Sequence, residues 1–88
     1  MSRVRRKEIE GVIVSLESLQ MEIERQAEII GSIGTDEEEY RDAMPESMEG
    51  GERWQKADDA ANAIEGARSD LETIDFADVI EQLREAMA

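Results

Sequence analysis

Residues 9–33 read IEGVIVSLESLQMEIERQAEIIGSI, and large apolar side chains recur in them at steps of three and four. This spacing places them on one side of an α-helix and is typical of a heptad seam, with Gln26 as its polar member. The stretch therefore predicts a long first helix that packs along another helix. Its predicted inward positions are Ile9, Val12, Leu16, Leu19, Ile23, Gln26, Ile30 and Ile33.

The same register continues to Met44. Gly31 and Gly34 weaken the helix between them by about 1 kcal/mol each relative to alanine. A capping box that starts at Thr35 would allow a helix to begin again there. Because a register preserved across a break would be a coincidence, the sequence favours one helix over residues 4–44, with a break near Thr35 as the alternative.

Pro45 ends this helix, because the residue before a proline is biased away from helical geometry. Residues 45–51, PESMEGG, have the composition of a turn, and a second helix is predicted over residues 52–73. Its apolar positions are rich in alanine, which predicts a close antiparallel approach to the first helix. These positions are Ala57, Ala60, Ile64, Ala67, Leu71 and Ile74.

The apolar side of the chain changes direction after Ile74, since the next apolar residues point elsewhere at about 100° per residue. Asp75 can cap a new helix, so a third helix is predicted over residues 76–87. The predicted fold is all-α in one domain, residues 1–88: an antiparallel helical hairpin with an acidic turn, plus a short C-terminal helix. The inward positions of the third helix are Phe76, Val79, Ile80, Leu83 and Met87.

The chain has a formal net charge of −13, from 23 acidic and 10 basic side chains. Four of the basic side chains lie within residues 3–7, so the remainder is more acidic still. A field of this sign repels nucleic acid and anionic membrane, and it attracts basic protein surfaces. A coat that keeps the protein in solution explains the charge equally well.

Histidine and cysteine are absent, and no glycine-rich phosphate loop is present. These absences argue against histidine-based acid–base catalysis, against zinc sites with histidine or thiolate ligands, and against nucleotide-binding loops. Residues 36–39 are all acidic but lack the alternating ligands of a calcium loop. We therefore expect no enzymatic activity, no cofactor and no metal site. The apolar runs are too short for a membrane span or a signal peptide, which predicts a cytoplasmic protein.

Residues 36–54 form the most acidic stretch and include the predicted turn, together with Tyr40 and Trp54. One interpretation is that the two aromatic rings pack across the turn and fix the register of the helices. The other is a rigid acidic tip that inserts into a basic pocket of a partner. The candidate contacts are Glu37, Glu38, Glu39, Asp42, Glu46, Glu49, Glu52, Asp58 and Asp59.

Three apolar residues of the first helix, Val14, Met21 and Ile29, lie well off the predicted seam. Either the third helix folds back over them, or another subunit covers them, or they are scattered exposed residues of an ordinary surface. With so few large apolar residues available for a core, a homodimer or a stable hetero-complex that covers them is expected.

The pattern DEEEY, MPESM and GGER over residues 36–53, followed by AIEGARSDLE at 63–72, is similar to small acidic helical proteins of phages and prophages. The resemblance covers residues 36–74, implies a shared fold and carries no functional residues with it.

Two functions follow as expectations. The first is a phage-encoded anti-defence protein, similar in action to an anti-CRISPR protein, acting in the host cytoplasm. It would be a DNA mimic, an inhibitor that occupies the basic nucleic-acid-binding surface of a host protein and itself contacts neither nucleic acid nor membrane. The alternative is a coiled-coil-like structural or adaptor protein that forms a homodimer or a hetero-helical assembly. Added salt weakens the first kind of binding, whereas the second tolerates it.

Overall fold

The computed structural model describes residues 1–88, and every regular element in it is helical. The long helix α1 spans Arg3–Asp42, α2 spans Glu52–Glu72, and α3 spans Ala77–Met87. A single 3₁₀ turn, Glu46–Met48, lies between α1 and α2. The predicted all-α class is therefore confirmed.

Helix α1 runs through Gly31 and Gly34 without a break, which confirms the continuity that the register favoured. Ser2 caps its start, since the Ser2 hydroxyl accepts a hydrogen bond of 3.2 Å from the Arg5 N–H. Its end lies just before Pro45. The chain then turns back at Gly50, whose positive φ of 78° favours a residue without a Cβ.

Helices α2 and α3 follow one another along α1 in the opposite direction. Close to the turn, the Arg41 guanidinium donates to the Asp58 carboxylate at 2.8 Å. Farther along, the Gln20 amide donates to the Ile74 carbonyl at 3.0 Å, and near the termini Arg6 donates to the Met87 carbonyl.

The result is a rod only two helices wide. Its Cα trace measures 70 × 15 × 13 Å, with a radius of gyration of 20.7 Å. A compact domain of 88 residues would have a radius of gyration of about 12 Å. The chain therefore has no third layer of structure over either broad side.

The break between α2 and α3 is closed by two polar side chains. Gln20 of α1 donates to the Ile74 carbonyl and accepts from the Phe76 N–H, each at 3.0 Å. Asp75 accepts a 2.9 Å hydrogen bond from the N–H of Ala77, the first residue of α3. These contacts satisfy backbone groups that the interruption of the helix leaves without helical partners.

The core is thin, with six of 88 residues buried and no large side chain fully enclosed. On α1 four members of the predicted seam face inward, but the prediction is wrong for the other four. Val12, Leu19, Gln26 and Ile33 are exposed, and their places are taken by the residues that follow each of them. The observed inward row from residue 9 to residue 34 is Ile9, Ile13, Leu16, Gln20, Ile23, Ala27, Ile30 and Gly34.

Small residues explain this shift in the second half of α1, at Ala27 and Gly34. A Cβ added at Gly34 would lie 3.2 Å from the Ile64 Cγ2 of α2, and one at Gly31 would lie 3.2 Å from the Arg68 Cδ. The two helices approach each other where α1 has glycine or alanine. A pattern based only on large apolar residues does not predict that such positions face inward.

The partner helices show the same kind of shift. On α2 the inward row includes Ala61 and Arg68, whereas Ala67 and Ile74, predicted to face inward, are exposed. On α3 the prediction is wrong only for Val79, which is exposed. The other inward residues predicted for α2 and α3 are buried or half-buried: Ala57, Ala60, Ile64, Leu71, Phe76, Ile80, Leu83 and Met87.

Candidate interaction surfaces

The end of the rod that carries the turn is an acidic tip, residues 36–59, with ten acidic and three basic side chains and a net charge of −7. Most of the predicted contact residues point into solvent here. Glu37 and Asp58 are half-buried instead. The exposed ones are Glu38, Glu39, Asp42, Glu46, Glu49, Glu52 and Asp59.

Asp58 is occupied within the molecule, because its carboxylate accepts hydrogen bonds from Arg41 at 2.8 Å and from Asn62 at 3.4 Å. Arg41 also bonds to Asp42 at 2.9 Å and lies over the Trp54 ring, 5.9 Å from its centroid. Its carboxylate partners, Asp42 first and then Asp58, raise the pKa of Arg41.

Arg41 thus ties α1 to α2 at the tip, a role that was not predicted from the sequence. Because Asp58 is already paired within the molecule, it is less available to bind a partner protein than the exposed carboxylates near it. Tyr40 is exposed to solvent, whereas Trp54 is half-buried. Trp54 is therefore the aromatic residue of the tip that contributes to the contact between α1 and α2.

The predicted apolar contact residues of α1 are open to solvent. Val14 is 65% exposed, Met21 70% and Ile29 42%. Since α3 packs on the inward side of α1, the interpretation in which the third helix folds back over these residues is wrong.

The two broad sides of the rod differ in chemistry. On both α1 and α2, the residue that follows an inward position is repeatedly acidic. Glu24 and Glu38 of α1 line one groove, of about 960 Å³, together with Glu65 and Glu72 of α2. Farther along, Glu17 lies 3.9 Å from Arg84 of α3. We call this side the acidic face: Glu17, Glu24, Glu38, Glu65 and Glu72.

Arg68 is the basic residue of that groove. It donates to Glu65 and, at 2.8 Å, to Glu72. The hydrogen bond from Arg68 lowers the pKa of Glu65, and the same pair raises the pKa of Arg68. One guanidinium thus pairs with two of the six carboxylates that line the groove.

The opposite side carries the residues that precede an inward position. Many of these are apolar or small, although Glu22, Gln26 and Lys56 also lie among them. Because the acidic flanks of α1 and α2 meet at one groove, the other flanks of both helices lie on the far side of the rod. All of these residues are exposed or half-buried. We call this side the apolar face: Val12, Leu19, Ile33 and Tyr40 of α1, Ala60 and Ala67 of α2, and Val79 of α3.

No group of three or more His, Cys, Asp or Glu side chains is arranged to hold a metal ion. None of the helices is both long and apolar enough to cross a membrane. In comparisons with known proteins, no family model, no curated protein and no solved structure matches the chain.

Proposed function

We propose that this chain is a helical interaction protein that works by burying its apolar face against the helices of a partner. The observation that supports the proposal is the row of apolar residues left in solvent along α1. Leu19 is 53% exposed, Ile33 51% and Val12 49%, and they recur at heptad spacing on a rod that has only one layer of helices.

The surface of the rod supports the same proposal. A folded monomer of 9.9 kDa exposes about 5,200 Å² on average, whereas this chain exposes 6568 Å². Burying a leucine or isoleucine side chain fully is worth about 1.5–3 kcal/mol. A second helical layer over the apolar face would therefore supply the stabilisation that six buried residues provide only weakly.

Capture from a bacterial lysate that also contains untagged copies of the chain tests the proposal when it compares two matched variants. The first, Leu19→Lys with Ile33→Lys, puts charges on the apolar face. The control, Val14→Lys with Met21→Lys, adds the same charges on another side of α1. The first variant should lose the partner and the control should keep it, in low and high salt alike. Equal capture by both variants would refute the proposal.

The concentration of charge at the acidic tip favours a second candidate, the anti-defence inhibitor that occupies a basic nucleic-acid-binding surface. Seven of the nine predicted contact residues are exposed there. In this case carboxylates replace phosphates, and each engaged group neutralises a lysine or arginine of the partner.

Salt and nucleic acid distinguish the second candidate from the first. Binding to a basic partner should weaken steeply between low and physiological ionic strength, and DNA should compete for the partner. Reversing Glu38 and Glu39 to lysine should slow association without loss of helix. Binding that persists in half-molar salt in the presence of DNA would rule this candidate out.

A further inference from the structure

We infer that the helical surface that covers the apolar face is a second copy of this chain, packed antiparallel with its two-fold axis at Gln26. The inference rests on the proposed function, since it names the partner of the apolar face. It follows from the register of the exposed row on α1, from the charges at the two ends of the rod and from the area of the face.

The exposed row on α1 is self-complementary. Leu19 and Ile33 lie seven residues on either side of Gln26, and Val12 and Tyr40 lie fourteen on either side. When two copies of α1 run antiparallel about Gln26, Leu19 of one copy meets Ile33 of the other, and Val12 meets Tyr40. Each contact occurs twice, as an isologous two-fold interface requires.

Gln26 is then the polar residue of the row, and it meets its own copy at the axis. A glutamine side chain both donates and accepts hydrogen bonds, so two copies can bond to each other there. A polar residue at one interface position fixes the register of paired helices. In the monomer Gln26 is exposed and donates to Glu22 at 2.9 Å, so it is not required for the core.

The charges of the rod favour the antiparallel arrangement over the parallel one. Four basic side chains lie within residues 3–7 at one end, and the acidic tip lies at the other. An antiparallel pair places the basic end of one copy level with turn residues 45–49 of the other, which include Glu46 and Glu49. A parallel pair would bring two tips of net charge −7 side by side, and like charges that meet at an interface oppose association.

The apolar face is also large enough. A broad side of the rod measures 70 × 15 Å on the Cα trace, so two facing copies can bury about 2,000 Å² in total. Stable, specific interfaces bury about 1,200–2,000 Å². The pair would be a four-helix bundle with the acidic face of each copy directed outward.

Mass and length test the arrangement first. Sedimentation equilibrium of the full chain at micromolar concentration should give twice the 9.9 kDa of the monomer. Small-angle scattering should give a maximum dimension close to the 70 Å of one rod. Leu19→Lys with Ile33→Lys should give a helical monomer, and Val14→Lys with Met21→Lys should remain a dimer. A dimer about twice as long as one rod would overturn the side-by-side arrangement.

Single cysteines test the register, and they are informative because the chain has none of its own. Under mild oxidation Gln26→Cys should form a disulfide-linked dimer, since a disulfide needs Cα atoms about 4.4–6.8 Å apart. Leu19→Cys and Ile33→Cys should not cross-link alone but should do so when mixed. Val14→Cys should stay unlinked. Cross-linking of Leu19→Cys with itself would show a parallel pair and overturn the inference.

The outcomes also separate this inference from the proposed function. A monomeric wild type whose captured partner is lost on Leu19→Lys with Ile33→Lys would refute the homodimer and keep the helical interaction. A monomeric wild type whose partner binding is unaffected by that variant would refute both.

Discussion

The side chain of Gln20 shows how one polar residue can hold two helices in a line. It lies in the inward row of α1 at the level where α2 ends, and its amide bonds to backbone groups on both sides of the break. A leucine or methionine there would continue the apolar row but would leave those groups without this partner. The polar residue at this position of the inward row is thus explained by the break between α2 and α3.

Replacing Gln20 by methionine should lower the free energy of unfolding by about 1–2 kcal/mol, mainly because the part-buried Phe76 N–H loses its partner. The Ile74 carbonyl is exposed and can bond to water instead. Chemical denaturation measures the change. Gln82→Met is the matched control, since Gln82 is exposed on α3, and it should change stability by less than about 0.5 kcal/mol. Equal effects of the two substitutions would show that the bridge at the break adds nothing.

Glu22 carries the largest shift among the carboxylates whose pKa is perturbed. Hydrogen bonds from Arg25, at 2.6 and 3.0 Å, and from Gln26 lower its pKa from 4.5 to about 2. Because the folded-state pKa is the lower one, this pair contributes to stability above about pH 4.5, and the contribution is lost as the pH falls towards 2. Its size is small, since both side chains are exposed to solvent.

An NMR titration of the glutamate carboxyl groups checks this. Glu22 should titrate well below its ordinary midpoint, and Arg25→Gln should move the midpoint up towards 4.5. Glu65, whose pKa is lowered by Arg68, is the internal control and should not move in that variant. A wild-type Glu22 midpoint near 4.5 would contradict the pairing.

Helix α1 shows what heptad spacing predicts and what it does not. Ile9, Leu16, Ile23 and Ile30 face inward as predicted, because they belong to both apolar rows. The alternate positions differ, and at two of them the sequence offers a large apolar residue, Leu19 or Ile33, just before the observed inward residue, Gln20 or Gly34. Spacing alone cannot distinguish the row that packs within the chain from the row that is left for a partner.

The glycines of the helices test this account, because they differ in their surroundings. A Cβ at Gly11 or Gly66 would meet nothing within 4 Å, whereas one at Gly34 would press on Ile64. Gly11→Ala and Gly66→Ala should each stabilise the protein by about 0.5–1 kcal/mol through helix propensity. Gly34→Ala should show none of this gain, as Ile64 must move. Urea denaturation measures all three, and an equal gain at Gly34 would place the close approach elsewhere.

The candidate surfaces were predictable to different degrees. The acidic tip is continuous in the sequence, so its charge could be located before the fold was known. The broad faces combine residues from helices far apart in the chain, such as Glu24 with Glu72, and they emerge only when the register between helices is fixed. That register depends on small contacts such as Gly34 with Ile64, which composition does not reveal.

The molecule as a whole is an amphipathic layer, with one apolar face, one acidic face, a cluster of four basic side chains at one end and the acidic tip at the other. Its net charge of −13 is spread over a rod only 15 × 13 Å in cross-section, so most carboxylates lie close to other carboxylates. Few of the ion pairs join different helices: Arg41 with Asp58 does so within 3 Å, and Arg84 with Glu17 lies at 3.9 Å. We therefore expect repulsion along the acidic face to outweigh attraction between the helices.

Added salt should consequently stabilise the fold. The screening length falls from about 30 Å at 0.01 M to about 8 Å at 0.15 M, which weakens repulsion across the groove. We expect the Tm, measured at fixed protein concentration, to rise over this range. Glu24→Gln with Glu38→Gln should raise the Tm at low salt and reduce its dependence on salt, whereas Glu24→Asp with Glu38→Asp should leave that dependence unchanged. A Tm that falls as salt is added would mean that attractive ion pairs dominate and that the acidic face does not destabilise the folded state.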